Sequence, residues 1–128
     1  MSQRPAILAI EQDADGDDVR VTITLDYRDR HHYGQAIGLA DPPHRPRLAA
    51  EAALQAVESL SGNTLDLELL AVATAALGDT QIALAQIRLT GIGEDVLVGS
   101  ALIRENDPSL AAVRAVMDAL NRRLGEVL

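Results

Sequence analysis

Several residue types that commonly build a protein core or a reactive site are missing from this chain of 128 residues. It contains no cysteine, no phenylalanine and no tryptophan, and its two tyrosines are Tyr27 and Tyr33. Without cysteine there is no disulfide, no thiol nucleophile and no thiolate ligand for a metal. The core must therefore be aliphatic, and a reducing, cytoplasmic location is expected.

Excess positive charge and long apolar runs are absent as well. The formal net charge is −8, with 11 Lys and Arg against 19 Asp and Glu. Proteins bind phosphate backbones with clustered Lys and Arg, so no nucleic-acid partner is expected. No apolar run reaches the ~18 residues that a membrane span requires, and the N-terminus does not resemble a secretory signal. We therefore expect no membrane association.

The chain contains an internal repeat. The pairs that carry it, each 62 residues apart, are Leu8 with Leu70, Ile10 with Val72, Gly16 with Gly78, Leu25 with Ile87, and Pro46 with Pro108. Two copies are too few for a solenoid. The repeat, over residues 6–62 and 65–124, predicts a single domain spanning 1–128 in which the two halves are related by a pseudo-two-fold axis.

Each half shows the pattern of three strands followed by a helix. Val19 to Tyr27 alternates apolar and polar residues without a break, which is typical of a half-buried strand. Pro46 and Pro108 stand where helices begin, and Asp107 is a suitable N-cap. The predicted strands are 6–10, 19–27, 33–40, 65–74, 80–90 and 96–103, and the predicted helices are 46–60 and 108–124. This order predicts an α+β fold of two βββα repeats, with helices packed on antiparallel sheet.

Two strand features need interpretation. The acidic segment around Gly16 is predicted to be a hairpin turn, because an EF-hand loop needs glycine and glutamate at positions where this segment has Asp18 and Thr24. The strand 80–90 changes its apolar phase partway along. This change predicts either a bulge near Ala85-Gln86 or a strand that is covered on both faces.

The closing helix carries a second apolar stripe. At the shift of 62, Val113, Met117 and Leu120 correspond to polar residues of the first helix, namely Glu51, Gln55 and Glu58. One apolar stripe is enough to pack a helix on its sheet, so a second stripe predicts a further partner. That partner is either the other half or another subunit, and a homodimer is the favoured interpretation.

The closing residues and the βββα order resemble the C-terminal regulatory domain of 2-isopropylmalate synthase. In that family the last helix follows a pattern close to D-I-V-E-A-S-A-K-A-Y-x-x-A-L-N. The residues that match it in place are Asp107, Ala111, Arg114, Ala115, Ala119, Leu120 and Asn121. The family's first helix opens G-x-G-N-G-P-I-D-A, and Pro46 and Ala49 keep that spacing.

The resemblance implies a freestanding regulatory-type domain that binds a small metabolite at the seam between the βββα units. The metabolite would be a branched-chain amino acid or another carboxylate, held at the helix N-termini by the ligand-binding residues His44, Arg45, Pro46, Ala49 and Asp107. The family's glycines are replaced here by Asp41, Pro43 and Arg45. The alternative is therefore a dimerisation or protein-interaction module whose ligand site has decayed.

No motif predicts catalysis. The chain has no nucleophile elbow and no phosphate-binding loop, and its paired acids lie in polar loops. His31 and His32 are adjacent on a predicted strand end and point in opposite directions, so they are not expected to chelate one ion. We therefore expect no enzyme activity, no metal and no cofactor, and the catalytic barrel of the synthase is absent from this chain.

Overall fold

A computed structural model describes residues 4–91 and 93–127, without the side chains of residues 122 and 125–127. Its elements, in chain order, are β1 (Ala6–Asp15), β2 (Asp18–Tyr27), β3 (Arg30–Leu39), a 3₁₀ turn (Pro42–His44), α1 (Arg45–Leu60), β4 (Asp66–Leu77), β5 (Thr80–Thr90), β6 (Asp95–Leu102) and α2 (Pro108–Val127). The order βββα occurs twice, which confirms the predicted α+β class.

Each set of three strands forms one antiparallel sheet. Sheet A has the order β1-β2-β3 and sheet B the order β4-β5-β6. The first hairpin of each sheet turns at a Gly-Asp pair, with φ of 65° at Gly16 and 60° at Gly78. A positive φ at the first central residue suits a two-residue hairpin turn and favours glycine there. The predicted hairpin turn at Gly16 is thus confirmed.

The strands β1 and β4 share an irregularity. The register to the neighbouring strand shifts between Ile7 and Ala9 in β1 and between Leu69 and Ala71 in β4, so Leu8 and Leu70 are the extra residues. The bulge predicted near Ala85-Gln86 in β5 was therefore assigned to the wrong strand. Strand β5 itself keeps one phase, with Ala83, Ala85, Ile87 and Leu89 facing the core.

The two helices lie side by side between the sheets. Helix α1 packs on β2 and β3 of sheet A and also reaches β4 of sheet B, while α2 packs on β5 and β6 and on α1. Both helices are buried over most of their circumference by aliphatic residues. The outer face of each sheet is left to solvent, and the core is aliphatic as the composition predicts.

Glycine and alanine bring each helix into backbone contact with a strand. A Cβ built on Gly34 would lie 1.9 Å from the carbonyl oxygen of Ala52. A Cβ built on Gly99 would lie 2.2 Å from the carbonyl oxygen of Ala115. No side chain can occupy such a space, so these two glycines set the distance between helix and sheet in both halves.

This contact corrects the predicted helix register. The equivalent contacts place Ala52 with Ala115, a shift of 63 residues (115 − 52), where the sequence pattern predicts 62. At a shift of 63, the stripe of Val113, Met117 and Leu120 corresponds to three other buried apolar residues, Ala50, Leu54 and Val57. The predicted difference between the helices was therefore wrong. The stripe is buried inside the chain, so the partner that it contacts there is the other half.

Candidate functional site

The starts of both helices meet at one cleft between the repeats, which we call the seam cleft. Its volume is about 500 Å³, and its lining residues are Pro42, Pro43, Pro46, Thr74, Gln81, Ile103, Asn106 and Pro108. Four prolines form its apolar wall, and three neutral polar side chains face it. The cleft lies where the resemblance implies a ligand, at the seam near the helix N-termini.

Of the five predicted ligand-binding residues, Pro46 alone lines the described part of the seam cleft. His44 is turned towards Asp41, with its Nδ1 atom 3.3 Å from that carboxylate. Arg45 is absent from the lining, and its Nε is buried and makes no hydrogen bond to the described residues. Ala49 is fully buried in the core. The predicted set is therefore not assembled around one ligand position.

The helix N-termini offer few free N–H groups. The fifth predicted residue, Asp107, is the N-cap of α2, and its carboxylate accepts a hydrogen bond of 3.0 Å from the Leu110 N–H. Its carbonyl accepts another of 3.2 Å from Ala111. At α1 the preceding 3₁₀ turn uses the Arg45 N–H, and Pro46 has none to give. The predicted capping role of Asp107 is confirmed, and it leaves few N–H groups of α2 for an anion, whereas α1 has no side-chain cap among the described residues.

The outer face of sheet B carries an unexpected apolar surface. Its apolar members are the outward-pointing residues Ala71, Ala73, Ala75, Leu77, Ile82, Leu84, Val96, Val98 and Leu102, and the polar residues Gln86 and Ser100 lie among them. Leu77 is 71% exposed and Val98 is 65% exposed. The phase change in β5 was its sequence signal, because Ile82 and Leu84 lie on this face. We call this surface the apolar face.

The outer face of sheet A is charged at the equivalent positions. Glu11, Asp13 and Asp15 of β1 stand where β4 has Ala73, Ala75 and Leu77. Arg20 and Thr22 of β2 stand where β5 has Ile82 and Leu84. We call the three β1 carboxylates and their surroundings the acidic face. Tyr33, Ile37 and Leu39 of β3 are exposed beside it.

Two equivalent grooves lie where the edge strands of the sheets face each other across a helix. In the α1 groove, between β3 and β4, long side chains bind the strand edges. Glu58 accepts a hydrogen bond of 3.1 Å from the Leu67 N–H, and Arg47 donates one of 3.5 Å to the Leu69 carbonyl. Gln55 accepts from the Gln35 N–H of β3. A cavity of about 550 Å³ lies among these residues. We call this groove closed because side chains of α1 already bind the strand edges on both of its sides.

The α2 groove lies against β1 and is open. At the shift of 63 its floor has Leu110, Arg114, Asp118 and Asn121 in place of Arg47, Glu51, Gln55 and Glu58. Asp118 accepts a hydrogen bond of 2.9 Å from the Ser100 N–H of β6. Among the described residues, no α2 side chain is hydrogen-bonded to β1. A cavity of about 740 Å³ remains between Leu110, Arg114 and the strand residues Ile7 to Gln12.

One ion pair stands out electrostatically. Arg123 donates a hydrogen bond to the carboxylate of Asp95, and the Val96 N–H donates another of 2.9 Å. These donors, the guanidinium first, hold the pKa of Asp95 below its ordinary value. The pair joins the end of α2 to the start of β6, and we assign it a structural role.

The remaining sequence candidates do not form a site. His31 and His32 both lie in β3, where successive side chains point to opposite faces. Within residues 4–91 and 93–127, no group of three or more His, Asp and Glu side chains is placed to hold a metal. No helix in these same ranges is long and apolar enough to cross a membrane.

Comparison with known proteins adds no relative. A scan against the models of known protein families and a search of curated proteins both find no match. The resemblance to the regulatory domain of 2-isopropylmalate synthase stays a prediction from the sequence. The surfaces and clefts described above are therefore the basis for a functional proposal.

Proposed function

We propose that this chain is a self-association module that forms a homodimer through the apolar face of sheet B. One observation carries the proposal, namely the exposure of the large aliphatic side chains Leu77, Val96, Val98 and Leu102 on one face of the sheet. Three strands about 4.8 Å apart and about 27 Å long present roughly 400 Å² of flat area. The largest apolar patch on a protein is often functional, and this face falls within the usual range of about 300–600 Å² for such patches.

The charge distribution favours a second copy as the occupant. A two-fold interface brings the same patch of each copy together, so an apolar patch meets an apolar patch. The chain has a net charge of −8, and two acidic faces would repel each other. Charge on the outer face of sheet B is confined to one end, where Arg88 is paired with Glu68 at 3.0 Å. Stacked sheets pack about 10 Å apart, as in a β-sandwich.

Sedimentation velocity over a range of protein concentrations tests the proposal. The wild-type chain, of 13.6 kDa, is expected to sediment with twice the monomer mass. Leu102→Glu places a charge within the apolar face of both protomers. It removes the burial of two leucines, at about 1.5–3 kcal/mol each, so the dissociation constant should rise roughly 100-fold or more.

The matched control is Ile37→Glu. Ile37 occupies the equivalent position in sheet A and is 52% exposed, against 45% for Leu102. We expect this variant to remain a dimer, because the outer face of sheet A is not in the proposed interface. A monomeric wild type, or equal weakening by both variants, would contradict the proposed interface.

A second candidate function is the binding of a small metabolite in the seam cleft. It is favoured by the convergence of Pro46 and Pro108, the starts of both helices, on one cleft with three neutral polar side chains. This is the regulatory-type function that the family resemblance implies. Because the lining contains no charged residue, the proposed ligand interacts mainly through an apolar side chain and neutral hydrogen bonds.

Thermal unfolding with leucine, other branched-chain amino acids and small carboxylates tests this candidate. A ligand at ~100 times its dissociation constant adds about 2.7 kcal/mol and raises the melting temperature by several degrees. Thr74→Val should reduce that rise, since it removes a hydroxyl group of the lining. Arg45→Ala should leave the rise unchanged, because Arg45 is not part of the lining. A panel without any rise would exclude binding of these compounds.

A further inference from the structure

The open α2 groove differs from its closed counterpart at the residues that would cover a strand edge. In the α1 groove, Arg47 and Glu58 bind the carbonyl of Leu69 and the N–H of Leu67 in β4. Their equivalents in α2 are Leu110 and Asn121, which bind nothing on β1 in the described structure. Within the described residues, the edge of β1 therefore lacks the side-chain hydrogen bonds that the edge of β4 receives from α1.

The missing cover has a local cause. The residue equivalent to Leu67 is Pro5, which has no N–H to donate. The side-chain oxygen of Asn121 is buried and has no hydrogen-bond partner among the described residues. Leu110 is too short and too apolar to reach a carbonyl as Arg47 does. The groove between Leu110 and β1 consequently stays open, with a volume of about 740 Å³.

The backbone of β1 is available for pairing at this groove. Asp15 and Asp18 flank a two-residue hairpin turn and form its closing pair. In an antiparallel ladder the hydrogen-bonding direction alternates from this pair, so the N–H and C=O groups of Ile10 and Gln12 point away from β2. Within the described chain, no other element takes up these groups. A free strand edge of this kind is a template for an added strand.

The side chains around the edge define what the added strand must be. Its inward side chains would lie over Leu110 and beside Arg114, which favours apolar residues and opposes basic ones. Its outward side chains would lie beside Glu11 and Asp13, which pair with Thr22 and Arg20 of β2 and form no ion pair among the described residues. Opposite charges on neighbouring strands stabilise pairing and like charges oppose it. The outward residues are therefore expected to be basic.

We propose that the edge of β1 binds an extended basic-apolar peptide segment of a partner protein by strand addition. A second copy of this chain is disfavoured here, because antiparallel pairing of β1 with itself would place its carboxylates side by side. This site is separate from the apolar face of sheet B, and its test does not depend on dimer formation.

The test uses a short fluorescein-labelled peptide of alternating valine and lysine, with binding followed by fluorescence anisotropy. Hydrogen exchange of the chain gives the location. The alternating peptide is expected to bind and to slow exchange at the amides of Ile10 and Gln12. Replacement of its lysines by glutamate should weaken binding at least roughly tenfold, because like charges across an interface cost more than one tenfold step.

A peptide of the same composition with its valines and lysines in two blocks separates strand addition from general attraction to an acidic protein. The block peptide has the same charge but cannot place apolar and basic side chains on opposite faces. We expect it to bind more weakly and to leave the exchange of Ile10 and Gln12 unchanged. Equal binding of the two peptides, or no binding of either, overturns the proposal.

Three variants locate the site on the protein. Leu110→Arg copies the residue of the closed groove and should abolish the slowed exchange, while Arg47→Leu in the closed groove is the matched control and should bind normally. Arg114→Glu removes a positive charge from the groove and should strengthen binding of the alternating lysine peptide. The third variant, Asp13→Arg, changes a residue on the exposed outer face. It should weaken binding of the peptide, and it tests the site even if Leu110→Arg proves unstable. Unchanged affinity in Asp13→Arg overturns the proposal.

Discussion

The outer faces of the two sheets differ although the sheets share strand order, turns and bulge position. Sheet B presents the apolar face, with Ile82 and Leu84 at its centre, where sheet A has Arg20 and Thr22. The inner faces match, because Val21, Ile23 and Leu25 of β2 are buried at the positions of Ala83, Ala85 and Ile87. Packing against the helices fixes the inner residues, whereas the outer residues are free to acquire different chemistry.

The two grooves likewise match where they face the core and differ where they face solvent. The contacts of each helix with its own sheet are alike, since Gly34 and Gly99 meet equivalent alanines. The side chains that point out of the helix layer differ, and they close one groove and leave the other open. The differences between the halves are thus concentrated where folding makes the fewest demands. We place the proposed functions on those surfaces for this reason.

Exchanging the outer residues of the two sheets should have the largest effect. Ile82→Arg with Leu84→Thr gives sheet B the residues that sheet A already accommodates. A dimer of this variant would lose the burial of four large side chains, at about 1.5–3 kcal/mol each. We therefore expect a monomer by sedimentation velocity, with a melting temperature of the monomer close to that of the wild type.

The reverse exchange tests whether the outer face of sheet A takes part in the interface. Arg20→Ile with Thr22→Leu gives sheet A the central residues of the apolar face but leaves Glu11 and Asp13 beside them. This variant should retain the wild-type dimer and should not form higher assemblies at low salt. Monomeric protein here would show that the interface lies on sheet A instead of sheet B.

Replacing the two glycines under the helices tests the close contact between helix and strand that both halves contain. Gly34→Ala and Gly99→Ala each force a methyl group into a helix backbone, and we expect each to cost about 3 kcal/mol or more of unfolding free energy. Urea unfolding measures this. Gly38→Ala in the same strand is the control, because its Cβ would meet the flexible end of Leu48 at 2.7 Å. A small loss in Gly34→Ala would contradict the backbone contact.

Replacing Glu58 in the closed groove should lower the free energy of unfolding more than replacing Asn121 in the open groove. Glu58→Leu leaves the Leu67 N–H without its acceptor and should cost about 1 kcal/mol. Asn121→Leu removes a buried oxygen that has no partner and should be neutral or stabilising. Urea unfolding of the two variants gives the comparison. Equal losses would show that Asn121 is not an unpaired group.

The Asp95–Arg123 pair should give the smallest effect. Hydrogen bonds from Arg123 and Val96 lower the pKa of Asp95 in the folded chain. The pair therefore stabilises the fold at pH values above the pKa of Asp95 in the unfolded chain, and this stabilisation is lost as the pH falls through the lower pKa of the folded chain. In Arg123→Met the Asp95 pKa should return towards its ordinary value of 3.8. NMR titration of the carboxyl carbon measures this. An unchanged pKa would mean that the guanidinium does not act on it.

Much of the fold could be predicted from the sequence because its signals are local. The alternation from Val19 to Tyr27, the Gly-Asp turns, and Asp107 followed by Pro108 each specify a short conformation through their own chemistry. The bounds differ mainly at strand ends. His31 and His32, predicted at a strand end, lie within β3, because the tight turn is formed earlier, by Arg28 and Asp29 with φ of 53° and 63°.

The helix register could not be predicted from residue identity. In helices rich in alanine, several registers align apolar residues equally well, and the shift of 62 matched more identities. Burial follows the contact of Gly34 with Ala52 and of Gly99 with Ala115, which is a tertiary feature. One residue of error rotates a helix face by about 100°. That rotation made a core stripe look like an interface.

The ligand residues were predicted from the family resemblance and from their position at the helix starts, and the structure gives two of them other contacts. His44 lies against Asp41 within its own turn, and Ala49 is buried in the core. The apolar face was not predicted because its residues come from three strands whose faces and register the sequence alone did not define. Only the pairing of β4, β5 and β6 brings them together.

The placement of both helices between the sheets has a consequence for synthesis and folding. When the first half leaves the ribosome, α1 can bury one side against β2 and β3, but its other side must wait for α2 and β4. The separated first half should therefore be an exposed, aggregation-prone intermediate rather than a stable unit. Productive folding requires α2, so a translational pause within the second half would prolong the most vulnerable state of this protein.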